Sequence, residues 1–328
     1  MAKTVLFHEL GGPEVLTLAD REPRAPGKGE VALRVQAFGL NRAESMLRSG
    51  TYYYQPRLPE ARLGYEAAGV VEAVGEGVEG FAPGDEVITT SGLLMEDHGV
   101  YGEHAVVPAA TALLHRPAGL EPVTAAAIPL TYMTAYGALI HRARVQPGDT
   151  VLITAGAGGV GLAAIQMVRT AGAVPIVTTR RAAKRQRLLD AGAAEVIVTE
   201  DEDVLKRVRE LTADRGADVV FDPLGGSFLH TAAAALAPGG LLIVYGWLLG
   251  EENPLPYTWP LELFTYANTY LTDHPDRLRR AGAYLEAGLR GGWLAPVIDR
   301  TFPLDDIVEA HRLLDSNEHV GKIVVTVD

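Results

Sequence analysis

The chain has 328 residues, a formal charge of −12 and no cysteine. Such a length buries a sizeable core and suggests two domains, while the acidic balance argues against a nucleic-acid partner, whose phosphate backbone needs a basic face. Without cysteine the chain has no disulfide, no thiolate nucleophile and no cysteine-held metal.

No apolar run approaches the ~18 residues of a membrane span. The first residues enter a strand pattern with no signal-peptide core, so a cytoplasmic protein with no membrane partner is expected. Short strands are predicted at 31–37, 68–74, 86–90 and 104–107, with Gly, Pro and acidic turns at 27–29, 75–77 and 83–85. From residue 150 the texture changes. Strands at 151–154, 174–178, 196–198, 219–222 and 241–245 alternate with helices at 181–191, 204–211 and 227–236. That alternation predicts an α/β fold in which right-handed crossovers build a doubly wound parallel sheet. Residues 264–271 read as a sixth strand, 276–289 as a helix and 323–327 as a closing strand.

The junction after the first of these parallel strands reads Gly156-Ala157-Gly158-Gly159-Val160-Gly161. This G-x-G-x-x-G lies between a β-branched strand and an amphipathic helix, the setting a dinucleotide requires. The first glycine permits a tight turn, the second a close approach of backbone to pyrophosphate, and the third close packing of helix on strand. The N–H groups of Gly159, Val160 and Gly161 open the helix toward the anion. A site for NAD usually ends its second strand in Asp or Glu, which takes the ribose hydroxyls. Here the strand runs into Thr179, Arg180 and Arg181, followed by Lys184 and Arg185. Thr179 can donate a hydrogen bond, and Arg180 and Lys184 can meet a 2′-phosphate, so NADPH is the expected cofactor. The same charges also read as the solvated face of a helix. Residues 222–226, with Tyr245 and Gly246, lie at carboxyl ends of strands and should border the nicotinamide half.

Taken together, 39–52, 64–71 (Gly64-Tyr65-Glu66-Ala-Ala-Gly-Val-Val), 81–87, the glycine loop, 222–226 and 321–324 (Gly321-Lys322-Ile-Val) make the chain resemble the medium-chain dehydrogenase/reductase superfamily, in its zinc-free quinone oxidoreductase branch. The resemblance implies a GroES-like β domain for substrate, formed by 1–124 and 273–328, with a Rossmann NADPH-binding domain inserted at 125–272. It also implies a cleft between the domains, a homodimer, and Thr134 near the nicotinamide.

Where the alcohol dehydrogenase branch carries a zinc-ligating cysteine this chain has Asn41, and where that branch reads Gly-His-Glu it has Gly64-Tyr65-Glu66. No metal is therefore expected. A residual acid–imidazole group, Glu96, Asp97, His98, Glu103 and His104, fits no ligand spacing. Without a metal, hydride delivery to a conjugated acceptor is the easier chemistry, since the charge spreads over an enolate or quinol that hydrogen-bond donors can stabilise. The candidate catalytic donors are Tyr52, Asn41 and Tyr65. Tyr52 is placed by the resemblance, lying where zinc-free enoyl-thioester reductases carry a functional tyrosine. Tyr52, Tyr53 and Tyr54 read equally as the wall of an apolar pocket. Asn41 equally caps a helix starting at Arg42, and Glu66 equally pairs with Arg42 or Arg48. The loops 91–102 and 248–260 should shape the acceptor pocket, with Trp247, Tyr257 and Trp259 as an aromatic wall.

The expected activity is an NADPH-dependent reductase of a quinone or α,β-unsaturated carbonyl. The alternatives are an enoyl-thioester reductase and a protein that binds NADPH without turnover; a zinc alcohol dehydrogenase is the weakest reading.

Overall fold

The apolar run Glu30–Gly39 forms the centre of a seven-stranded sheet. In order, the strands are Ile298–Pro303, Lys322–Thr326, Glu30–Gly39, Ala67–Val74, Glu86–Thr89 and Leu113–His115, with His104–Pro108 also paired to the central strand. A three-stranded sheet joins Leu16–Arg21, Ala2–Phe7 and Ala61–Arg62. Phe7, Phe38, Leu47, Leu63, Met95 and Val325 are buried together in the core these strands share. This computed structural model describes residues 1–258 and 260–327, which fall into two units. One comprises Met1–Leu130, Leu271–Glu286 and Pro296–Asp328; the other comprises Thr131–Tyr270 and Ala287–Ala295.

The second unit is built on six parallel strands. Their order is Glu195–Val198, Val174–Thr179, Thr150–Ile153, Ala217–Asp222, Leu236–Val244 and Glu262–Thr265. Numbered along the chain this is 3-2-1-4-5-6, the doubly wound order whose reversal at the first strand creates a ligand crevice at the carboxyl ends. Apart from the exposed edge strand Glu262–Thr265, the strands are largely apolar and buried, as a parallel sheet covered on both faces requires.

Two elements differ from expectation. The sixth strand stops at Thr265, and residues Thr269–Thr272 are helical. Its partner strand ends at Val244, which pairs with Thr265, so no ladder remains for the residues beyond. The helix expected at 181–191 divides into a single turn, Ala182–Lys184, and an α-helix, Arg185–Asp190. A π-helix at Tyr136–Arg142 carries no sequence signal. Gly137 is required there, because a Cβ would lie 1.9 Å from Tyr266 Oη, which donates to the Met133 carbonyl at 3.1 Å. No helix among the described residues is long and apolar enough to cross a membrane.

Candidate functional site

In the second unit, the strand Thr150–Ile153 breaks into the glycine loop, and Gly158 precedes the helix Gly159–Thr170. Three glycines of the loop divide the work. A Cβ on Gly156 would meet Val177 Cγ1 at 2.1 Å, and one on Gly161 would meet the Gly156 carbonyl oxygen at 2.3 Å. These two are fixed by packing. A Cβ on Gly158 would meet no atom within 4 Å, so that face of the loop is open to a ligand. Within the helix the N–H groups of Gly159, Val160 and Gly161 have no carbonyl one turn earlier to bond, and they present a positive dipole end. The turn is secured from the neighbouring strand, whose Thr178 accepts from Gly156 N at 2.9 Å and, through Oγ1, from Ala155 N at 3.1 Å.

Asp222 ties this loop to the next one. Its carboxylate accepts from Thr154 Oγ1 at 2.5 Å and from Gly225 N at 2.8 Å, and burial pushes its pKa up. Two residues of the following loop dock on the same turn, Asn253 Oδ1 accepting from Gly226 N at 2.7 Å and Glu251 Oε2 from Ser227 N at 2.8 Å. Gly246 lies just past the strand Leu236–Val244, 2.8 Å being all that would separate its Cβ from the Pro223 oxygen. Thr179 is buried at the end of its strand. Arg180 is exposed, its Nε 3.9 Å from Glu200 Oε1, and Lys184 is half-buried. Thr134 lies on the helix Pro129–Ala135, where its hydroxyl donates to Asn268 Oδ1 at 3.3 Å. Of the expected aromatic wall, Tyr257 is exposed, Trp247 half-buried, and Trp259 lies outside the described residues.

In the first unit the hydroxyls of Tyr52 and Tyr65 are 3.0 Å apart and hydrogen-bonded. Tyr65 is buried and Tyr52 half-buried; desolvation raises both phenols well above their ordinary range, so both stay protonated. The rings of Tyr53 and Tyr54 pack on Tyr52 at 4.5 and 5.0 Å. Asn41 precedes the helix Arg42–Ser49. Its backbone N–H donates to Glu44 Oε2 at 2.8 Å, half of a capping box. Its side-chain nitrogen donates to Glu66 Oε1 at 3.0 Å, and its oxygen accepts from Lys322 Nζ at 2.7 Å. Lys322 also donates to the Leu40 carbonyl at 2.7 Å and to Glu66 Oε1. Glu66 thus pairs with Lys322; Arg48, an alternative partner, pairs instead with Asp315 at 2.6 Å.

This donor set does not fit zinc. The Asn41 oxygen and the Glu66 carboxylate already serve an ammonium, and a divalent cation beside Lys322 would meet its charge in a buried setting. The second acid–imidazole group is dispersed as well: Arg57 binds Glu96 at 2.7 Å and Asp97 at 3.1 Å, and His98 Nδ1 lies 2.9 Å from the Val106 oxygen. Among the described residues no three His, Asp or Glu side chains form a metal-holding group.

Two family patterns match the chain, the alcohol dehydrogenase GroES-like domain at residues 27–118 and the zinc-binding dehydrogenase at 159–272. A human quinone oxidoreductase is 34% identical over 328 residues, covering 99% of this chain and 98% of its own length. The chain belongs to the medium-chain dehydrogenase/reductase superfamily, in its quinone oxidoreductase branch. The structure of Escherichia coli quinone oxidoreductase complexed with NADPH superposes with a TM-score of 0.92 at 29% identity, over 99% of this chain and 100% of that one. That of the JamJ enoyl reductase gives 0.89 at 28% identity, over the whole of both chains. The superfamily's two folds are both present, the GroES-like unit carrying the tyrosines and the Rossmann unit the glycine loop.

Sequence reasoning missed Lys322 and Glu44. A signal for the first existed: a lysine opening the otherwise apolar strand Lys322–Thr326 needs a buried counter-ion.

Proposed function

We propose that the protein is an NADPH-dependent, zinc-independent reductase of quinones or other α,β-unsaturated carbonyls. The Tyr52–Tyr65 hydroxyl pair carries this reading. When Tyr65 donates to Tyr52, the hydrogen bond that Tyr52 receives strengthens its hydroxyl as a donor toward the acceptor's carbonyl oxygen. Both phenols are neutral at physiological pH, as a group that must donate to a developing oxyanion requires. NADPH supplies the hydride. Gly156, Gly158, Gly159, Val160 and Gly161 receive its pyrophosphate, Thr179, Arg180 and Lys184 its 2′-phosphate end, and Thr134 and Gly246 border its nicotinamide. Asn41 serves as framework, since its amide oxygen and nitrogen are engaged by Lys322 and Glu66. The substrate domain is taken as 1–124 with 273–328 and the nucleotide domain as 125–272.

The test is NADPH oxidation against quinones, enones and enoyl-thioesters. A free quinone or enone should turn over, and Tyr52→Phe should lower kcat about 100-fold while leaving NADPH affinity unchanged. NADPH binding without oxidation by any acceptor would sink the reading. The likeness to an enoyl reductase supports a thioester as the second reading, and faster turnover of the thioester would select it. A cytoplasmic homodimer belongs to the same proposal; light scattering and cell fractionation check it.

A further inference from the structure

We infer that Lys322 is a positioning residue for the Tyr52–Tyr65 pair, acting from the far end of the chain through a closed buried network. The inference rests on the proposed role of that pair.

An ammonium group has three protons. All three are committed, to the Leu40 carbonyl, the Asn41 side-chain oxygen and Glu66 Oε1. Lys322 is 4% exposed and Glu66 fully buried, so this is a fixed internal cation and not a proton donor to substrate. Two of the acceptors, Glu66 and Asn41, report onward. Glu66 Oε2 accepts from Leu130 N at 2.6 Å, and Oε1 accepts from the Asn41 amide. Gly39 makes room for this carboxylate, since a Cβ there would lie 2.6 Å from Glu66 Oε1. Asn41 N donates to Glu44 Oε2, and the other oxygen of Glu44 accepts from the backbone of Tyr65 at 3.3 Å.

The turn that closes the same helix leads into the second tyrosine. Gly50 closes it at φ 77°, and the N–H groups of Thr51 and Tyr52 bond back to the Met46 carbonyl at 2.9 and 3.2 Å. The helix is held at Asn41 by Lys322 and the turn that closes it leads into Tyr52, while Tyr65 hangs on Glu44 in its first turn. The 3.0 Å contact between the hydroxyls therefore depends on where Lys322 holds Asn41.

The test removes the charge pair together. Lys322→Met/Glu66→Gln keeps the side-chain volumes and removes both members of the buried ion pair together, and 3-fluorotyrosine at position 65 reports the hydroxyl contact by fluorine NMR. A shifted resonance, kcat for quinone reduction at least tenfold lower, unchanged acceptor KM and NADPH Kd within twofold are expected. Lys322→Arg keeps the charge but cannot aim three bonds at the same three acceptors, so it should give a smaller resonance shift and a smaller loss of kcat. It also serves if the double variant fails to fold. An unmoved resonance in either folded variant overturns the inference, whatever the rate. A shifted resonance together with a Tyr65→Phe variant of wild-type rate keeps Lys322 as the positioning residue and overturns the catalytic role of the tyrosines instead.

Discussion

The glycine loop of the second unit and the ion cluster of the first are both buried anchors, but they depend on opposite resources. The loop works through atoms that are missing: Gly156 and Gly161 let backbone meet backbone and side chain at distances no Cβ could occupy. The cluster works through atoms that are charged: Lys322 and Glu66 pair in a region where each alone would be strongly unfavourable. A site of the first kind should tolerate changes of pH and salt but not an added methyl group. A site of the second kind should tolerate changes of shape better than changes of charge.

The largest effect should come from breaking the charge pair on one side only. Lys322→Met leaves Glu66 fully buried without its counter-ion, a change that costs about 3–5 kcal/mol of stability. Adding Glu66→Gln should recover most of it, because the orphaned charge and not the lost contact dominates. Urea denaturation of the two variants measures the difference. Equal losses in single and double variants would mean that shape rules here too, and the contrast between the regions would collapse.

Glu44 offers the pH test. Burial, outweighing the attraction of Lys322, raises its pKa from 4.5 to about 7. The native state therefore holds a proton that the unfolded chain has released, and stability falls as pH rises through that window. The full effect is about 3 kcal/mol, and Glu44→Gln should flatten it. Melting temperatures at pH 5 and pH 8 for wild type and variant read the slope directly. An unchanged slope in the variant would assign the pH dependence to another group.

The glycine loop should respond to a single carbon. Gly161→Ala places a methyl 2.3 Å from the Gly156 oxygen, with the Gly156 Cα at 2.4 Å, and overpacking of backbone on backbone costs about 1–3 kcal/mol. Gly158→Ala meets nothing within 4 Å, so its melting temperature should match wild type while NADPH affinity drops about tenfold, or about 1.4 kcal/mol. Thermal melts paired with NADPH fluorescence titration separate packing from ligand approach. A Gly158→Ala protein that binds NADPH normally would refute the assignment of that glycine to the pyrophosphate.

The same contrast explains what could be read in advance. The strand, glycine loop and helix from Thr150 to Thr170 are contiguous, and each glycine's task follows from its place in a local turn. The parallel sheet was equally legible, because buried strands and crossover helices repeat at short range. The cluster joins residues 41, 44, 66 and 322, and its partners are separated by as many as 281 positions. Nothing local to Glu66 distinguishes Lys322 from Arg42 or Arg48 as its partner, since all three are cations and only the sheet order brings the strand Lys322–Thr326 beside Glu30–Gly39. The early end of the sixth strand at Thr265 has the same origin: the length of the neighbouring strand decided it, not the residues that follow.

The smallest effect, on nucleotide choice, falls between the two kinds of site, because it concerns charge at an exposed surface. Arg180 lies 3.9 Å from Glu200, and both side chains are more than half exposed, so their attraction is worth less than about 1 kcal/mol. A 2′-phosphate, with higher charge and three acceptor oxygens, should outcompete the Glu200 carboxylate for the guanidinium. Lys184→Ala should weaken NADPH about fivefold to tenfold, or about 1–1.4 kcal/mol, and NADH less than twofold. Glu200→Gln should act in the opposite direction, tightening NADPH about twofold, because the phosphate no longer displaces a carboxylate. Isothermal titration with both nucleotides at two salt concentrations provides the check, since exposed charges are screened by salt. Equal losses of NADPH and NADH in Lys184→Ala would assign the lysine to the helix surface, leaving Thr179 and Arg180 as the only residues of this strand end that distinguish the two nucleotides.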